Sequence, residues 1–253
     1  GKVDCCLFDK TGTITSDRLV AEGVAMEPLG RDVAVKQPID ASQNASIVIG
    51  GCHALLEIDG KMFGDPLEKA ALLGIKWQYE PSSHTASPKL DDDKIKRTWN
   101  GADKTAVRIL VRNHFASALQ RMSVVADVVS GSNPQQRWSL VKGSPEMVMT
   151  LLEKVPKGYE AAYRSLAEKG MRIIALAHKV LNAEESARVG SQTMPFTRDE
   201  AESNLVFDGF LAFACKVRAD SAEIIHALKA SSHDVMMATG DAVLTALHVG
   251  NEV

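Results

Sequence analysis

The sequence predicts an α/β unit that is interrupted by an inserted α+β domain, and two features of the chain indicate this fold class. Short apolar runs near the two ends, at residues 3–8 and 233–238, each stop at a polar loop that contains glycine, as buried parallel strands do at the carboxyl edge of an open sheet. The middle carries β-rich runs separated by turn residues and helical patterns, which is typical of antiparallel strands flanked by helices. With 253 residues, 45% of them hydrophobic, the chain can bury a core for both parts.

The individual elements follow from apolar spacing and turn residues. In the middle, strands are predicted at residues 105–111, 122–129, 137–142, 171–178 and 205–213. Helices are predicted at residues 65–75, 145–155 and 159–168, and at residues 243–248, which follow the apolar run at 233–238. Residues 130–134 predict a hairpin turn, Ser144 is the expected N-cap of its helix, and Gly170 closes the next one. Exposed loops are expected at residues 79–103, which include an acidic run, and at 190–195.

Composition and charge exclude several classes of protein. The 29 basic residues against 32 acidic ones give a net charge of −3, so nucleic acid and membrane surfaces are not expected partners. No run reaches the roughly 18 apolar residues of a membrane span. The cysteines (Cys5, Cys6, Cys52 and Cys215) have neither a disulfide framework nor a zinc spacing, and the histidines gather no metal site. Cys5 and Cys6 are expected on opposite faces of a buried strand.

The segment from Asp9 to Thr15, Asp-Lys-Thr-Gly-Thr-Ile-Thr, carries the strongest chemical signal. A carboxylate at the end of a parallel strand can attack a phosphorus atom while amides of the turn hold the phosphoryl oxygens, so an aspartyl phosphate is the expected product. Phosphatases that use such an aspartate carry a second acid two positions later, where this chain has Thr11. Hydrolysis of the intermediate is therefore expected to be slow. No P-loop sequence is present, which excludes that route to ATP.

This segment resembles the phosphorylation signature of P-type ATPases, and further stretches in the same order support the resemblance. They are Lys142-Gly143-Ser144-Pro145-Glu146, residues 171–177 and Thr239-Gly240-Asp241. The resemblance covers the whole chain. It implies a partial, Rossmann-like phosphorylation domain of haloacid-dehalogenase type at residues 1–18 and 216–253, interrupted by a nucleotide-binding domain with an antiparallel sheet at residues 19–215.

A finer resemblance is to the type V-A, or endoplasmic-reticulum, P-type ATPases. It rests on Val3-Asp4-Cys5-Cys6, residues 64–70, Ser231-Ser232-His233 and residues 240–246. Ion pumps carry Asp-Pro-Pro-Arg where this chain has Cys215-Lys216-Val217-Arg218, so Arg218 matches the arginine and the prolines are absent. Type V-A relatives are thought to extract mislocalised transmembrane helices, and older descriptions call them cation transporters. The resemblance thus implies ATP and Mg²⁺ as cofactors and a position on the cytosolic face of the endoplasmic reticulum.

The resemblance also implies roles for individual residues. In the phosphorylation site these are Asp9 as nucleophile, Lys10 and Thr11 in its loop, and Thr239, Gly240 and Asp241 beside the phosphoryl group, where Thr239 or Asp241 could also cap the following helix. The Asp9 carboxylate and the Thr11 carbonyl are expected to bind Mg²⁺.

In the nucleotide site the implied residues are Phe115 stacked on adenine, Glu68 at the adenine amino group, Lys142 with Gly143, Arg172 at the phosphates, and Arg218. Gln120 stands where many pumps have a lysine, and Arg121 is its candidate substitute. From the residues alone, Phe115 could instead be a core side chain, and Glu68 and Lys142 exposed surface charges.

The family pattern continues beyond what this sequence contains, with a lysine, a Gly-Asp-Gly-x-Asn-Asp segment that completes the magnesium site, and transmembrane helices. We therefore expect a cytosolic part of a longer membrane protein, with the transmembrane and actuator domains of the same polypeptide as its partners and little phosphoryl transfer of its own. The alternative is a soluble aspartate-nucleophile phosphatase with a cap domain, against which Thr11 and the Lys142 motif argue.

Overall fold

The computed structural model of the chain describes residues 3–59, 61–89, 105–131, 133–240 and 243–253. The strands of this part are β1 (Cys5–Asp9), β2 (Thr15–Ala25), β3 (Val35–Lys36), β4 (Leu56–Ile58), β5 (Lys61–Phe63), β6 (Trp77–Glu80), β7 (Thr85–Pro88), β8 (Ala106–Ala116), β9 (Arg121–Ser130), β10 (Asn133–Gly143), β11 (Arg172–Val180), β12 (Val206–Val217) and β13 (Asp234–Ala238). Its α-helices are α1 (Gln43–Gly51), α2 (Pro66–Gly74), α3 (Pro145–Met149), α4 (Tyr159–Glu168), α5 (Ala183–Arg188), α6 (Arg198–Ala201), α7 (Ser221–Ala230) and α8 (Val243–Glu252).

The two ends of the chain meet in a small parallel unit. β1 pairs in parallel with β13, with Asp9 opposite Ala238, and one face of the pair packs on α7 and α8. The prediction of a parallel strand near each end is therefore confirmed. The prediction that the first strand is buried is wrong, because its other face is open among the described residues: Leu7 is 68% exposed and Cys5 is exposed. Cys6 lies on the packed face with Phe8 and is half-buried, so the two cysteines are on opposite faces, as predicted.

The middle of the chain forms one large antiparallel sheet, as predicted. Its strand order is β3-β2-β12-β11-β10-β9-β8-β7-β6, and β9 and β10 make the hairpin expected at residues 130–134. The antiparallel pair β2–β12 joins this sheet to the parallel unit, with Thr15 opposite Val217 at the near end. The expected domain limits, 18/19 and 215/216, fall within these two continuous strands, and they stay a prediction.

Side chains alternate between the two faces of the large sheet, and each face has its own apolar core. One face packs on α1 and α2 and contains Met122, Leu140 and Leu176. The other packs on α3 and α4 and contains Val141 and Ala175. We call them the α1/α2 face and the α3/α4 face. Because consecutive strand residues point to opposite faces, a side chain's face follows from its place in the strand.

Two predicted elements differ from the structure. The prediction of an exposed loop over residues 79–103 is wrong at its start, because Trp77–Glu80 and Thr85–Pro88 form β6 and β7 and Ala86 is fully buried. The acidic run at 91–93 lies outside the described residues. Helix α3 ends at Met149 instead of residue 155, because the Leu205 N–H donates to the Leu151 carbonyl and draws this segment toward the start of β12. Residues 190–195 contain neither helix nor strand, as expected.

Candidate active site

The predicted nucleophile lies where β1 leaves the parallel pair. Asp9 is the last residue of β1 and is exposed, and the chain then turns through the loop Lys10–Ile14. Gly12 has a φ of +79°, a conformation that residues with a Cβ rarely adopt. The Lys10 carbonyl holds the turn by accepting hydrogen bonds from the Thr15 amide and from Thr15 Oγ1, the latter at 3.1 Å. The loop therefore presents the Asp9 carboxylate to solvent at the edge of the sheet.

The segment after β13 runs beside this loop. Because Asp9 is paired with Ala238, Thr239 and Gly240 leave the sheet next to the Asp9 loop. Asp241, the third residue of this motif, lies outside the described residues. The structure thus brings together the described residues of the two phosphorylation-site motifs.

A cleft of about 890 Å³ separates the parallel unit from the large sheet. Its lining on the side of the parallel unit includes Lys10, Thr11 and Gly240. Its lining on the side of the sheet includes Gln120, Ser144 and Arg172. The phosphorylation loop therefore faces residues of the predicted nucleotide-binding domain across open space.

Lys142 and Glu68 form an ion pair on the α1/α2 face of the sheet. Lys142 Nζ lies 2.8 Å from Glu68 Oε1, and the side chains are only 15% and 7% exposed. Glu68 Oε2 also accepts the Ala54 N–H at 2.9 Å. Helix α2 positions Glu68, and Asp65 caps that helix by accepting the Leu67 N–H. The alternative interpretation of both as exposed surface charges is therefore wrong.

Phe115 lies in the same cross-sheet row as Lys142. Between two regular pairs of β8 with β9, residues 114 and 115 together oppose Met122 in a bulge. Met122 is paired on its other side with Lys142, so two strand spacings, about 10 Å in all, separate Phe115 from Lys142. The Phe115 side chain is largely exposed, at 61%, which contradicts the alternative of a core phenylalanine.

Arg172 extends the α1/α2 face toward the cleft. It is the first residue of β11, and Leu176, four residues later, pairs with Lys142. Alternate residues share a face, so Arg172 lies on the same face about 13 Å further along the strand. Its exposed side chain lines the cleft opposite the Asp9 loop.

Gly143 has a steric role in the structure. A Cβ at this position would lie 2.7 Å from the Gln120 carbonyl oxygen and from Arg121 Cβ, so glycine permits the close approach of β10 to the start of β9. A role for Gly143 in binding nucleotide stays a prediction.

Two predicted residues are not brought to the other site residues. Arg121 directly precedes Met122, so its side chain lies on the α3/α4 face, where Nε binds Glu202 at 2.6 Å. Since a single step along a strand reverses the face, the expectation that Arg121 replaces the family lysine is corrected by this placement. Arg218 pairs with Asp220 at 3.1 Å and lines a separate cleft of about 280 Å³.

The sequence reasoning missed His53, which is buried beside the Lys142 pair. Its Nδ1 accepts the Leu55 N–H at 3.2 Å, and Nε2 has no hydrogen-bond partner among the described residues. Burial, together with the positive charges of Lys142 and Arg112, lowers the pKa of His53 to about 3. No sequence motif marks this histidine, because its environment comes from elements distant in the chain.

Within the described ranges, His, Cys, Asp and Glu side chains do not gather in a group of three that could hold a metal ion. The described helices also lack the length and apolar character that a membrane span requires.

Similarity to known proteins decides the family. A family profile described as "P-type ATPase, cytoplasmic domain N" matches residues 57–220, which is more than half of the chain. The chain belongs to the P-type ATPases. This confirms the family expected from the Asp9 segment and does not favour the soluble phosphatase.

Several P-type ATPases align with the whole chain. An Arabidopsis thaliana relative named "Probable manganese-transporting ATPase" is 40% identical over 257 residues. Proteins named endoplasmic reticulum transmembrane helix translocase, from Schizosaccharomyces pombe and Saccharomyces cerevisiae, are 34% and 36% identical. These translocases agree with the type V-A resemblance. The alignments cover 20%, 20% and 19% of the three relatives, so the chain spans about a fifth of the length of the curated relatives it matches.

Proposed function

We propose that this chain is the ATP-binding and phosphorylation part of a membrane P-type ATPase and that Asp9 becomes phosphorylated. The observation that carries the proposal is the order of side chains on the α1/α2 face. An exposed aromatic ring at Phe115, the Glu68–Lys142 pair and the guanidinium of Arg172 follow one another toward the cleft that holds the Asp9 loop. This order suits a nucleotide whose adenine contacts Phe115 and Glu68 and whose phosphates reach Arg172.

Each of these side chains supplies a different interaction. The Phe115 ring offers a face on which a purine can stack. Lys142 carries three donors and Glu68 retains acceptor capacity, so their mutual bond leaves both able to contact the base or ribose. Arg172 presents a planar fork of donors, which suits phosphate oxygens.

The chemical step uses the exposed carboxylate of Asp9. A carboxylate oxygen attacks the γ-phosphorus of ATP, the bond from that phosphorus to the β–γ bridging oxygen breaks, and ADP leaves with the electron pair. No proton is transferred in this step. Amides of the Lys10–Ile14 loop and of Gly240, with the Thr239 hydroxyl, are the donors we assign to the phosphoryl oxygens. Thr11 supplies no acid or base, so the aspartyl phosphate is long-lived.

Magnesium fits the oxygen ligands at this edge of the sheet. Mg²⁺ prefers hard oxygen donors and keeps several waters, so the Asp9 carboxylate and the Thr11 carbonyl, both on exposed residues, suit it together with phosphate oxygens. Its charge would offset the negative charge of the phosphoryl oxygens.

For the longer protein we propose type V-A, with this part on the cytosolic face of the endoplasmic reticulum and with transmembrane and actuator domains of the same polypeptide as its partners. Support comes from the translocase relatives, from Cys5-Cys6 before Asp9 and from the missing prolines before Arg218. We also propose that β1 and β13 belong to a Rossmann-like phosphorylation domain of haloacid-dehalogenase type. Gene sequence that encodes membrane spans on both sides of this chain is the expected finding, and an isolated soluble reading frame would contradict it.

Calorimetric titration of the chain with ATP tests the nucleotide site. Replacing Phe115 by Ala removes the stacking face and should weaken ATP binding by about 1 to 3 kcal/mol. The matched control is Phe63→Ala, which removes a phenylalanine that is also exposed, at 46%, on the separate β4–β5 hairpin. Equal losses of affinity in the two variants, or no ATP binding by the unmodified chain, would contradict the proposed site.

Phosphorylation is tested in the full-length protein with γ-labelled ATP and Mg²⁺. We expect a label that hydroxylamine removes, as it does from acyl phosphates, and that Asp9→Asn abolishes. A label that survives Asp9→Asn would assign the chemistry to another residue.

A further inference from the structure

Half-buried Arg198 and buried Glu202 form an ion pair under the turn that connects β8 to β9. Glu202, which directly follows α6, is 1% exposed. Its Oε1 accepts hydrogen bonds from Arg198 Nε and Ser123 Oγ, both at 2.8 Å, and its Oε2 accepts Arg121 Nε at 2.6 Å. A buried carboxylate with this many donors is held in one orientation. We call Arg198 and Glu202 the clamp.

The clamp reaches the backbone on both sides of the turn. Arg198 Nη1 donates to the carbonyl of His114 on β8 at 3.3 Å, and Nη2 donates to the carbonyl of Arg121 on β9 at 3.1 Å. Arg121, aligned by Glu202, donates through Nη1 to the Leu119 carbonyl at 3.4 Å. One guanidinium thus connects the end of β8 to the start of β9.

The connection falls at the point where the strand ladder is interrupted. The regular pairing of β8 with β9 shifts between Asn113 and Ala116, so strand pairing alone does not define the backbone at Phe115. The carbonyl that Arg198 binds, that of His114, directly precedes Phe115. Past the bulge, the amides of Leu119 and Gln120 both donate to the Ala116 carbonyl, at 3.0 and 2.8 Å.

We propose that Arg198 and Glu202 are positioning residues, which hold the bulge of β8 so that the Phe115 ring is placed to stack on the purine. Neither residue touches the nucleotide, because both lie on the α3/α4 face. This inference rests on the proposed ATP site. The planar fork of Arg198 can bind Glu202 and two carbonyls at once, and a lysine at this position keeps the charge without this geometry.

A double-mutant cycle on the chain tests the inference. Arg198→Lys should weaken ATP binding about 3- to 10-fold, the effect of losing one to two hydrogen bonds that position the ring. The weakening should disappear in the Phe115→Ala background, which a general loss of stability would not produce. Hydrogen exchange of the Leu119 and Gln120 amides in the nucleotide-free chain should become faster.

Arg188→Lys is the matched control. Arg188 binds the Glu200 carboxylate at 2.7 and 3.0 Å and the carbonyls of Met194 and Pro195, but these partners lie outside the β8–β9 turn. We expect this variant to retain the wild-type affinity for ATP and wild-type exchange at Leu119. If Arg198→Lys does not fold, as judged by its thermal transition, Glu202→Gln serves in the same cycle because it keeps an acceptor and removes the charge.

The outcomes separate this inference from the proposed function. An unmodified chain that binds no ATP refutes the ATP site and the inference with it. Normal ATP binding that Arg198→Lys leaves unchanged refutes only the inference, even where exchange at the turn is faster. An affinity loss that persists in the Phe115→Ala background also refutes it, because Arg198 would then act through other groups.

Discussion

The buried imidazole of His53 makes the stability of this chain sensitive to mild acid. The residue is 1% exposed, its Nδ1 accepts the Leu55 N–H, and its Nε2 has no hydrogen-bond partner among the described residues. A protonated ring at this position would be a buried cation beside two other positive charges. Burial, and then the charges of Lys142 and Arg112, lower the pKa of His53 to about 3, from 6.5 for a free histidine.

The size of the effect follows from proton linkage. A histidine whose pKa is lower in the folded state contributes stability that is fully present above its unfolded pKa of 6.5 and is lost as pH falls toward the folded pKa of about 3. At about pH 5, which is about 1.5 pH units below the unfolded pKa, protonation of the histidine stabilises the unfolded state by about 2 kcal/mol, while the folded state stays unprotonated. That loss is a large part of the roughly 5 to 15 kcal/mol that stabilises a typical domain.

Urea unfolding at about pH 7.5 and about pH 5 measures this loss. The variant His53→Asn keeps an acceptor near the position of Nδ1 and does not titrate, so we expect the wild type to lose about 2 kcal/mol more than this variant between the two pH values. His226→Asn, at an exposed position of α7, is the control and should behave like the wild type. An equal loss in wild type and His53→Asn would show that the pH dependence arises from other groups and not from His53.

Two further predictions concern the junction of α4 with α8 and the thiols. Gly170 has a φ of +77°, and a Cβ at this position would collide with the ring of His248, so Gly170→Ala should lower the free energy of unfolding in urea by about 1 to 3 kcal/mol. The control is Gly190→Ala, at a φ of +81° with no atom within 4 Å of the added Cβ. This variant introduces only the backbone strain and should lower the free energy of unfolding by less. Burial raises the pKa of the Cys52 thiol to about 12, so iodoacetamide should label exposed Cys5 in the native chain and Cys52 only after unfolding. Peptide mass spectrometry measures the labelling of each cysteine, and equal labelling of the two in the native chain would contradict this prediction.

Elements with a strong local pattern were predictable, and those without one were not. Helix α4 has the predicted bounds, since its apolar residues recur at helical spacing and Gly170, with positive φ, ends it. Helix α1 was missed because seven consecutive residues, 45–51, are buried, so the helix has no polar face to reveal its period. The strands β6 and β7 were missed because prolines and serines around them resemble a loop.

The residues of the candidate site also differ in how well the sequence predicted them. The segments around Asp9, Glu68 and Lys142 could be picked out because each chemistry requires a short run of particular residues. Arg121 was predicted beside the nucleotide, but one step along β9 turns its side chain to Glu202, on the face opposite the Lys142 row.

The sequence alone was enough to predict the family, the two parallel strands that lead to Asp9 and to the Thr239 motif, and the antiparallel middle, because these depend on motifs and spacings only a few residues long. The tertiary structure alone decided that Lys142 pairs with Glu68, 74 residues away, and that Glu202 holds Ser123 across 79 residues. It also decided that His53 is buried as a neutral ring. Such contacts depend on strand register and on how helices pack on the sheet. Both bring together residues that are far apart in the chain, and the local sequence around one residue does not indicate its distant partner.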